Sequence, residues 1–431
     1  MENILKIAII GLGNRGRETY GAALTQLPEK AKIVAVAEIL PDRLEQASKD
    51  FNLPKEMCFE SAEEFLKHPK MADAVLVCTQ DQQHVAHAIP ALELGYDVLL
   101  EKPISPSEED CRALLKTAHR TGRKVIVCHV LRYSPFYRKI KEILDSGILG
   151  ELRSIQAIEN VCYWHQAHSF VRGNWRNSET TSPMILAKCC HDMDLMVWLT
   201  GKRCERVSSF GSLSHFKPEC APNGAAKRCL DGCLAKESCP YDAEKIYIQH
   251  ERLGIKNGNT DWPICVLSLN PTVESVYEAI KTGPYGRCVY HCDNDVVDHQ
   301  VVNMQLEDGS TIDFTMSAFT KDSYRKLRIM GTIGEIEGDM EKNMIWVKPF
   351  VGDAIAIDVR TLSNDFSGHG GGDTGMIREL IELIVEGKTE GSAISTISQS
   401  LESHYVAFAA EESRMNQGKV IDLNEFVKSQ M

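Results

Sequence analysis

Over the first ~130 residues short apolar runs alternate with amphipathic ones, the pattern of βα units on a parallel sheet. Leu5 to Ile10, Ile33 to Ala37, Ala74 to Cys78, Asp97 to Leu100 and Lys124 to Cys128 are aliphatic or β-branched and predict strands. Between them, Arg43 to Phe51 and Pro106 to Thr121 carry helical spacing. Strands alternating with helices predict a doubly wound parallel sheet, a Rossmann α/β domain over residues 1–130.

Past Cys128 the period changes. Leu152 to Glu159, Val301 to Leu306, Ser310 to Ser317 and Lys326 to Met330 alternate polar and apolar positions, which predicts a large, mostly antiparallel open sheet with one wet face. Helical spacing returns in Pro135 to Ser146, in Ile185 to Leu199 with a stop at Gly201, in Thr374 to Glu386 and in Ile394 to Asn416. Residues 131–431 are therefore expected to form an α+β domain for substrate binding and oligomerisation. Inside it Cys204 to Glu251, rich in Cys, Pro, Asn and Gly, reads as an insert.

Composition narrows the partners. A net charge of -12 disfavours nucleic acid and anionic lipid, which need clustered Lys and Arg. Charged residues interrupt every apolar stretch short of the ~20 residues a membrane span needs. Met1 to Ile4 leads straight into the first predicted strand, leaving no room for a cleavable leader, so the cytoplasm is the expected location. The fifteen cysteines then read as reduced thiols rather than disulfides.

Gly11-Leu12-Gly13-Asn14-Arg15-Gly16 follows a strand and opens a helical pattern, the context in which G-x-G-x-x-G signifies a dinucleotide site. The first glycine permits the turn, the second admits the pyrophosphate, and the third lets helix pack on strand. Glu38 ends the second strand ~20 residues on, where a carboxylate accepts ribose hydroxyls and repels a 2'-phosphate. This favours NAD; Arg15 and Arg17 keep NADP open as the lesser reading, and FAD uses the same loop.

Gly95-Tyr96-Asp97-Val98-Leu99-Leu100-Glu101-Lys102-Pro103 resembles the G-x-x-V-x-x-E-K-P signature of the Gfo/Idh/MocA family, which contains inositol and other sugar dehydrogenases. Cys78-Thr79-Gln80 through His84 is similar to the family's strand-end segment near the nicotinamide. The resemblance implies that Thr79, Gln80, His84, Glu101, Lys102 and Arg132 line the cofactor, with Lys102 catalytic and Pro103 after a cis peptide bond. Ala187 to Asp194, continuing to Trp198-Leu199, resembles the family's D-x-x-x-H-x-x-D-x-x-x-W-L helix. It implies a catalytic His191 and a substrate contact at Asp194. Ala187 stands where the pattern has its first Asp, and Lys188, expected on the face of His191, is the candidate replacement. Tyr133, Arg172 and Trp175 lie in segments similar to those that line the family's cleft, and His369-Gly370-Gly371-Gly372-Asp373 is similar to a loop near the substrate in some relatives.

The resemblance implies hydride transfer between a sugar, glycoside or cyclitol hydroxyl and the nicotinamide, with Lys102 and His191 as acid/base pair, in a homodimer or homotetramer. A glycosidase that oxidises, eliminates, hydrates and reduces on held NAD is the alternative. Separately, Cys220, Cys229, Cys233 and Cys239 are candidate ligands of a structural zinc ion, although only Cys229 and Cys233 have the usual spacing. Simple thiols or a disulfide are the other readings.

Overall fold

In a computed structural model, residues 4–385, 387 and 393–429 are described. Met1 of the expected start and Glu386 of an expected helix lie outside the described residues. Strands β1 (Leu5–Ile10), β2 (Ala31–Ala37), β3 (Cys58–Phe59), β4 (Ala74–Val77), β5 (Asp97–Leu100) and β6 (Val125–Val127) form one parallel sheet in the order β3-β2-β1-β4-β5-β6. Strand order reverses between β1 and β4, and an open α/β sheet binds its ligand in the crevice at that reversal. β4 is buried at every position, as expected of a strand covered by helices on both faces. Helix Glu108–Thr121 shows how sequence sets the covering elements. Ser107 caps it by accepting from the Asp110 amide at 3.3 Å, acids fill its first turn, His119 and Arg120 its last, and Gly122 ends it at φ 65°.

The second sheet contains β7 (Leu152–Asn160), β8 (Cys204–Ser212), β9 (His299–Leu306), β10 (Thr311–Ser317), β11 (Tyr324–Gly331), β12 (Gly334–Asp339), β13 (Met344–Pro349), β14 (Ile355–Asp358) and β15 (Ile421–Asp422). Its order is β14-β13-β12-β11-β7-β10-β9-β8-β15. Within this sheet only the β7–β10 pair is parallel among the described strands. Burial alternates along β9 and β10, so one face packs against helices and the other is wet.

Two expectations need correction. Cys204–Ser212 is strand β8, paired with β9 from Cys204 opposite Leu306 to Ser212 opposite His299, so the insert begins at residue 213. It also runs on to residue 298, well past Glu251, because no described strand intervenes before β9. The expected helix Ile185 to Leu199 is two helices, Met184–Ala187 and Cys190–Thr200, broken at Lys188 and Cys189. Gly201 stops the second at φ 63°, as its position predicts.

Candidate active site at the domain interface

The glycine-rich turn leaves β1 at the reversal of strand order. Gly11 takes φ +87°, and a Cβ there would lie 2.6 Å from the Cys78 carbonyl oxygen. A Cβ on Gly16 would lie 1.9 Å from the Gly11 carbonyl oxygen. Gly13 differs, since the nearest atom to its absent Cβ is Arg43 Nη1 at 3.7 Å. The first and third glycines thus answer to the chain's own packing, while the second leaves space above the turn where a pyrophosphate faces the following helix. Glu38 is buried at the tip of β2 and accepts from the amides of Leu12 (2.7 Å) and Leu40 (3.0 Å). Beside it Ile39 and Leu40 are exposed, an apolar shelf suited to an adenine ring. The donor set and the space fit a dinucleotide.

Arg15 is placed differently from its expected cofactor role. Its Nε donates to Glu101 Oε1 at 2.7 Å and its Nη2 to Asp373 Oδ1 at 2.7 Å, and it also contacts the Tyr20 hydroxyl. Tyr20 in turn donates to Glu101 Oε1 at 2.6 Å. Burial pushes the Glu101 carboxyl up, but Arg15 and Lys102 outweigh it and hold the group below its ordinary range. Glu101 therefore anchors a clamp that joins the turn, the end of β5 and helix Gly372–Val385. Sequence spacing missed Tyr20 because residues 14–21 form a π-helix, which brings positions five apart onto one face instead of three or four. Arg17 pairs with Asp50 at 2.7 Å, so both arginines of the turn already have carboxylate partners.

Lys102 lies two residues past the end of β5, its bond to Pro103 is cis, and its ammonium donates to the Ala187 carbonyl at 2.7 Å. The helix break after Ala187 leaves that carbonyl at a helix end, where the last carbonyls lack intrahelical partners. His191, in the first turn of the next helix, is 4% exposed. Its ring lies between those of His129 (centroids 5.9 Å apart) and His369 (5.7 Å), and its Nδ1 meets no hydrogen-bond partner among the described residues. Burial first, then Lys102 and His369, hold the imidazole well below its usual pKa, so it is neutral near pH 7. A neutral imidazole beside an ammonium is a base next to a hydrogen-bond donor.

Lys188, the candidate replacement for the missing Asp, is not in a continuous helix with His191. It sits at the break and pairs with Glu159 at 3.3 Å; Arg325 bridges Glu159 and Asp192, at 2.8 Å to each. Arg132 and Asp194, expected at cofactor and substrate, bind each other through two bonds of 2.6 Å with both side chains buried. Tyr133 is a core residue whose hydroxyl lies 3.2 Å from Ser395 Oγ. Arg172 turns into the insert, donating to the carbonyls of Arg287 and Tyr241 at 2.7 Å each. These side chains share one setting: a charge or hydroxyl shielded from water needs a partner, and each of these has one within the fold.

Trp175 stays at the cleft's edge, its indole N–H donating to Asp81 Oδ1 at 3.1 Å. Asp81 belongs to the turn after β4 that carries Thr79, Gln80 and His84. Thr79 Oγ1 lies 3.1 Å from His87 Nδ1, Gln80 caps the turn, and the buried His84 ring spans the carbonyls of Pro103 (2.7 Å) and Thr79 (3.1 Å). His84 therefore ties the β4 and β5 ends together. The insert reaches this region too. Cys265 Sγ lies 4.0 Å from Asn14 Nδ2, which donates to Glu18 at 2.7 Å, and Arg43 beside Gly13 acts on the insert's Tyr285. An insert assumed to end at Glu251 hid this contact from the sequence.

A parallel sheet with this turn at its reversal, facing a second domain's histidine, defines a two-domain dinucleotide-dependent oxidoreductase. Residues 5–129 match the family model described as oxidoreductase family, NAD-binding Rossmann fold, and residues 141–423 match its C-terminal alpha/beta domain. The chain belongs to the Gfo/Idh/MocA family of oxidoreductases. It is 26% identical over 323 residues to the putative oxidoreductase YteT of Bacillus subtilis, covering 72% of each chain. It is 28% identical over 204 residues to an inositol 2-dehydrogenase of Corynebacterium glutamicum, covering 47% of this chain and 56% of that one. The fold matches an oxidoreductase domain protein from Kribbella flavida with TM-score 0.71 at 17% identity, over 98% of this chain and 100% of that one. An aldose-aldose oxidoreductase from Caulobacter crescentus matches with TM-score 0.66 at 15% identity, over 97% and 100%. No helix among the described residues is long and apolar enough to cross a membrane.

Proposed function

We propose that the protein uses NAD to oxidise a hydroxyl-bearing carbon of a sugar, glycoside or cyclitol, with Lys102 and His191 as the acid/base pair. The observation that carries this reading is the neutral, unpartnered Nδ1 of His191 in the field of an ammonium tied to Ala187. NAD, held by the glycine turn and Glu38, would supply the acceptor for the substrate's hydride. His191 accepts the hydroxyl proton, and Lys102 donates a hydrogen bond to the oxygen as it becomes a carbonyl, so one proton and one hydride leave together. Glu38, with Arg15 and Arg17 both engaged by carboxylates, favours NAD over NADP. The substrate class follows the relatives named inositol 2-dehydrogenase and aldose-aldose oxidoreductase. By the same resemblance the enzyme is a homodimer or homotetramer, and its fifteen free cysteines fit the reducing cytoplasm.

The approach of Cys265 Sγ to Asn14 of the turn supports the second reading, a glycosidase that holds NAD and returns its hydride within one turnover. One experiment separates the two. The dialysed protein is assayed for retained nucleotide and then mixed with NAD and a panel of sugars, inositols and glycosides. Accumulating NADH identifies the dehydrogenase; aglycone release without NADH identifies the glycosidase. Neither product on any member of the panel overturns both.

A further inference from the structure

Four thiols from two separate stretches line one cavity of the insert: Cys229, Cys233 and Cys239, and Cys288 about fifty residues on. The stretches are already paired backbone to backbone. The Cys229 amide donates to the Gly286 carbonyl at 2.9 Å and the Cys288 amide to the Lys227 carbonyl at 2.9 Å. All four cysteines are free. The cavity measures about 10 Å³, room for about one water-sized sphere.

Arg172 is the second observation. It lines the same cavity, is 1% exposed, and places Nη2 3.5 Å from Cys229 Sγ, while its Nη1 is buried without a hydrogen-bond partner among the described residues. Its other partners are the carbonyls of Arg287 and Tyr241 and the Tyr247 hydroxyl, none of which carries a charge. A buried guanidinium is costly without a nearby anion. Four neutral thiols do not supply one, whereas four thiolates around a divalent ion carry a net charge of about -2.

We propose that Cys229, Cys233, Cys239 and Cys288 bind one zinc ion that staples the insert, with Arg172 balancing its charge. Thiolates are soft ligands that select zinc over magnesium or calcium, and the cavity has room for a single ion rather than an iron–sulfur cluster. Cys229 and Cys233, separated by three residues, form the chelating pair common in such sites. Cys220, the sequence's fourth candidate, is not among the cavity's lining residues; its Sγ bonds the Ser214 carbonyl at 3.4 Å, and Cys288 takes its place. As the side chains stand, no three ligand groups among the described residues are drawn together to hold an ion. Closing on one takes side-chain rotation over a backbone that is already paired. Between residues 213 and 243 the only helical turn is Pro218–Cys220, so the segment has little regular structure to hold it otherwise.

The test is elemental analysis of the full-length protein purified without chelator, with cobalt substitution as the second readout. The expected result is about one zinc per chain and, after exchange, the visible absorption of tetrahedral cobalt thiolate. Cys288→Ser should lose most of the metal and Cys220→Ser should keep it. Zinc below about a tenth per chain in the wild-type protein, with no cobalt thiolate band, overturns the site whatever the variants do. Retention in Cys288→Ser with loss in Cys220→Ser overturns the ligand set. A disulfide among these thiols in the purified, metal-free protein also overturns it.

Discussion

The ammonium of Lys102 donates to the carbonyl oxygen of Ala187 at 2.7 Å, across the boundary between the dinucleotide-binding sheet and the second domain. Where the family pattern has an Asp side chain at this position, a backbone carbonyl freed by a helix break orients the lysine. The contact keeps Lys102 beside His191 without adding a carboxylate to the pocket.

Replacing Lys102 with Met removes the donor but leaves the turn and Glu38 intact. Single-turnover hydride transfer should fall by about a hundredfold or more, while NAD binding, followed by fluorescence titration, changes little. An unchanged rate refutes the role of Lys102.

The glycines should respond unequally. Gly16→Ala drives a methyl group into the Gly11 carbonyl and should cost about 3 kcal/mol or more, seen as a large fall in Tm. Gly13→Ala meets only the Arg43 guanidinium at an ordinary 3.7 Å, so Tm should stay within about 2 °C while NAD affinity drops at least about tenfold. Equal loss of Tm in the two variants would contradict the division of roles between packing and ligand space.

Glu38→Ala should relax cofactor choice. Losing the carboxylate removes the acceptor for the ribose hydroxyls and the repulsion of a 2'-phosphate, so the ratio of kcat/KM for NAD over NADP should fall by about tenfold or more. It also strips the amides of Leu12 and Leu40 of their acceptor, so some loss of Tm should accompany it.

Acid should destabilise the fold through its histidines. Burial lowers His168 and His404 to about 3, and holds His129 and His191 well below their usual range. His404 shows the geometry: Nε2 accepts from the Ile104 amide at 2.9 Å and Nδ1 lies 2.7 Å from the Ser400 carbonyl, which suits a neutral ring. Above pH ~6.5 these groups are neutral both folded and unfolded, so they contribute no pH dependence. Below it only the unfolded chain takes up protons, so stability should fall as pH drops from 6.5 to 5, by up to about 1.4 kcal/mol per unit for each such histidine. Urea unfolding at pH 7, 6 and 5 measures the slope, and His404→Gln, which keeps an acceptor for Ile104, should reduce it by about one proton. A midpoint independent of pH over this range would refute the assignment.

The alternation of strands and helices, the glycine turn, Glu38 and the Glu101-Lys102-Pro103 run were legible because each depends on residues near one another in the chain. Periodicity, φ above zero and strand-end position are local properties, and β1, β2, β4, β5, β6 and the turn lie where those properties put them, whereas the two-residue β3 at Cys58–Phe59 is too short to show a period and was not expected. The insert's bounds were not legible. Cys204–Ser212 has the composition of the loop that follows it, and only pairing with β9, almost a hundred residues later, makes it a strand.

By itself, then, the sequence determined that the chain builds a dinucleotide-binding sheet followed by a mostly antiparallel one, and that Lys102 stands at a strand's end. Only the tertiary structure decided which partners the charged groups meet. Arg132 is taken by Asp194, Lys188 by Glu159, and Arg15 by Glu101 and Asp373. The physical reason is that a buried charge is stable only with a partner, and which partner it meets depends on residues brought together from tens to hundreds of positions apart.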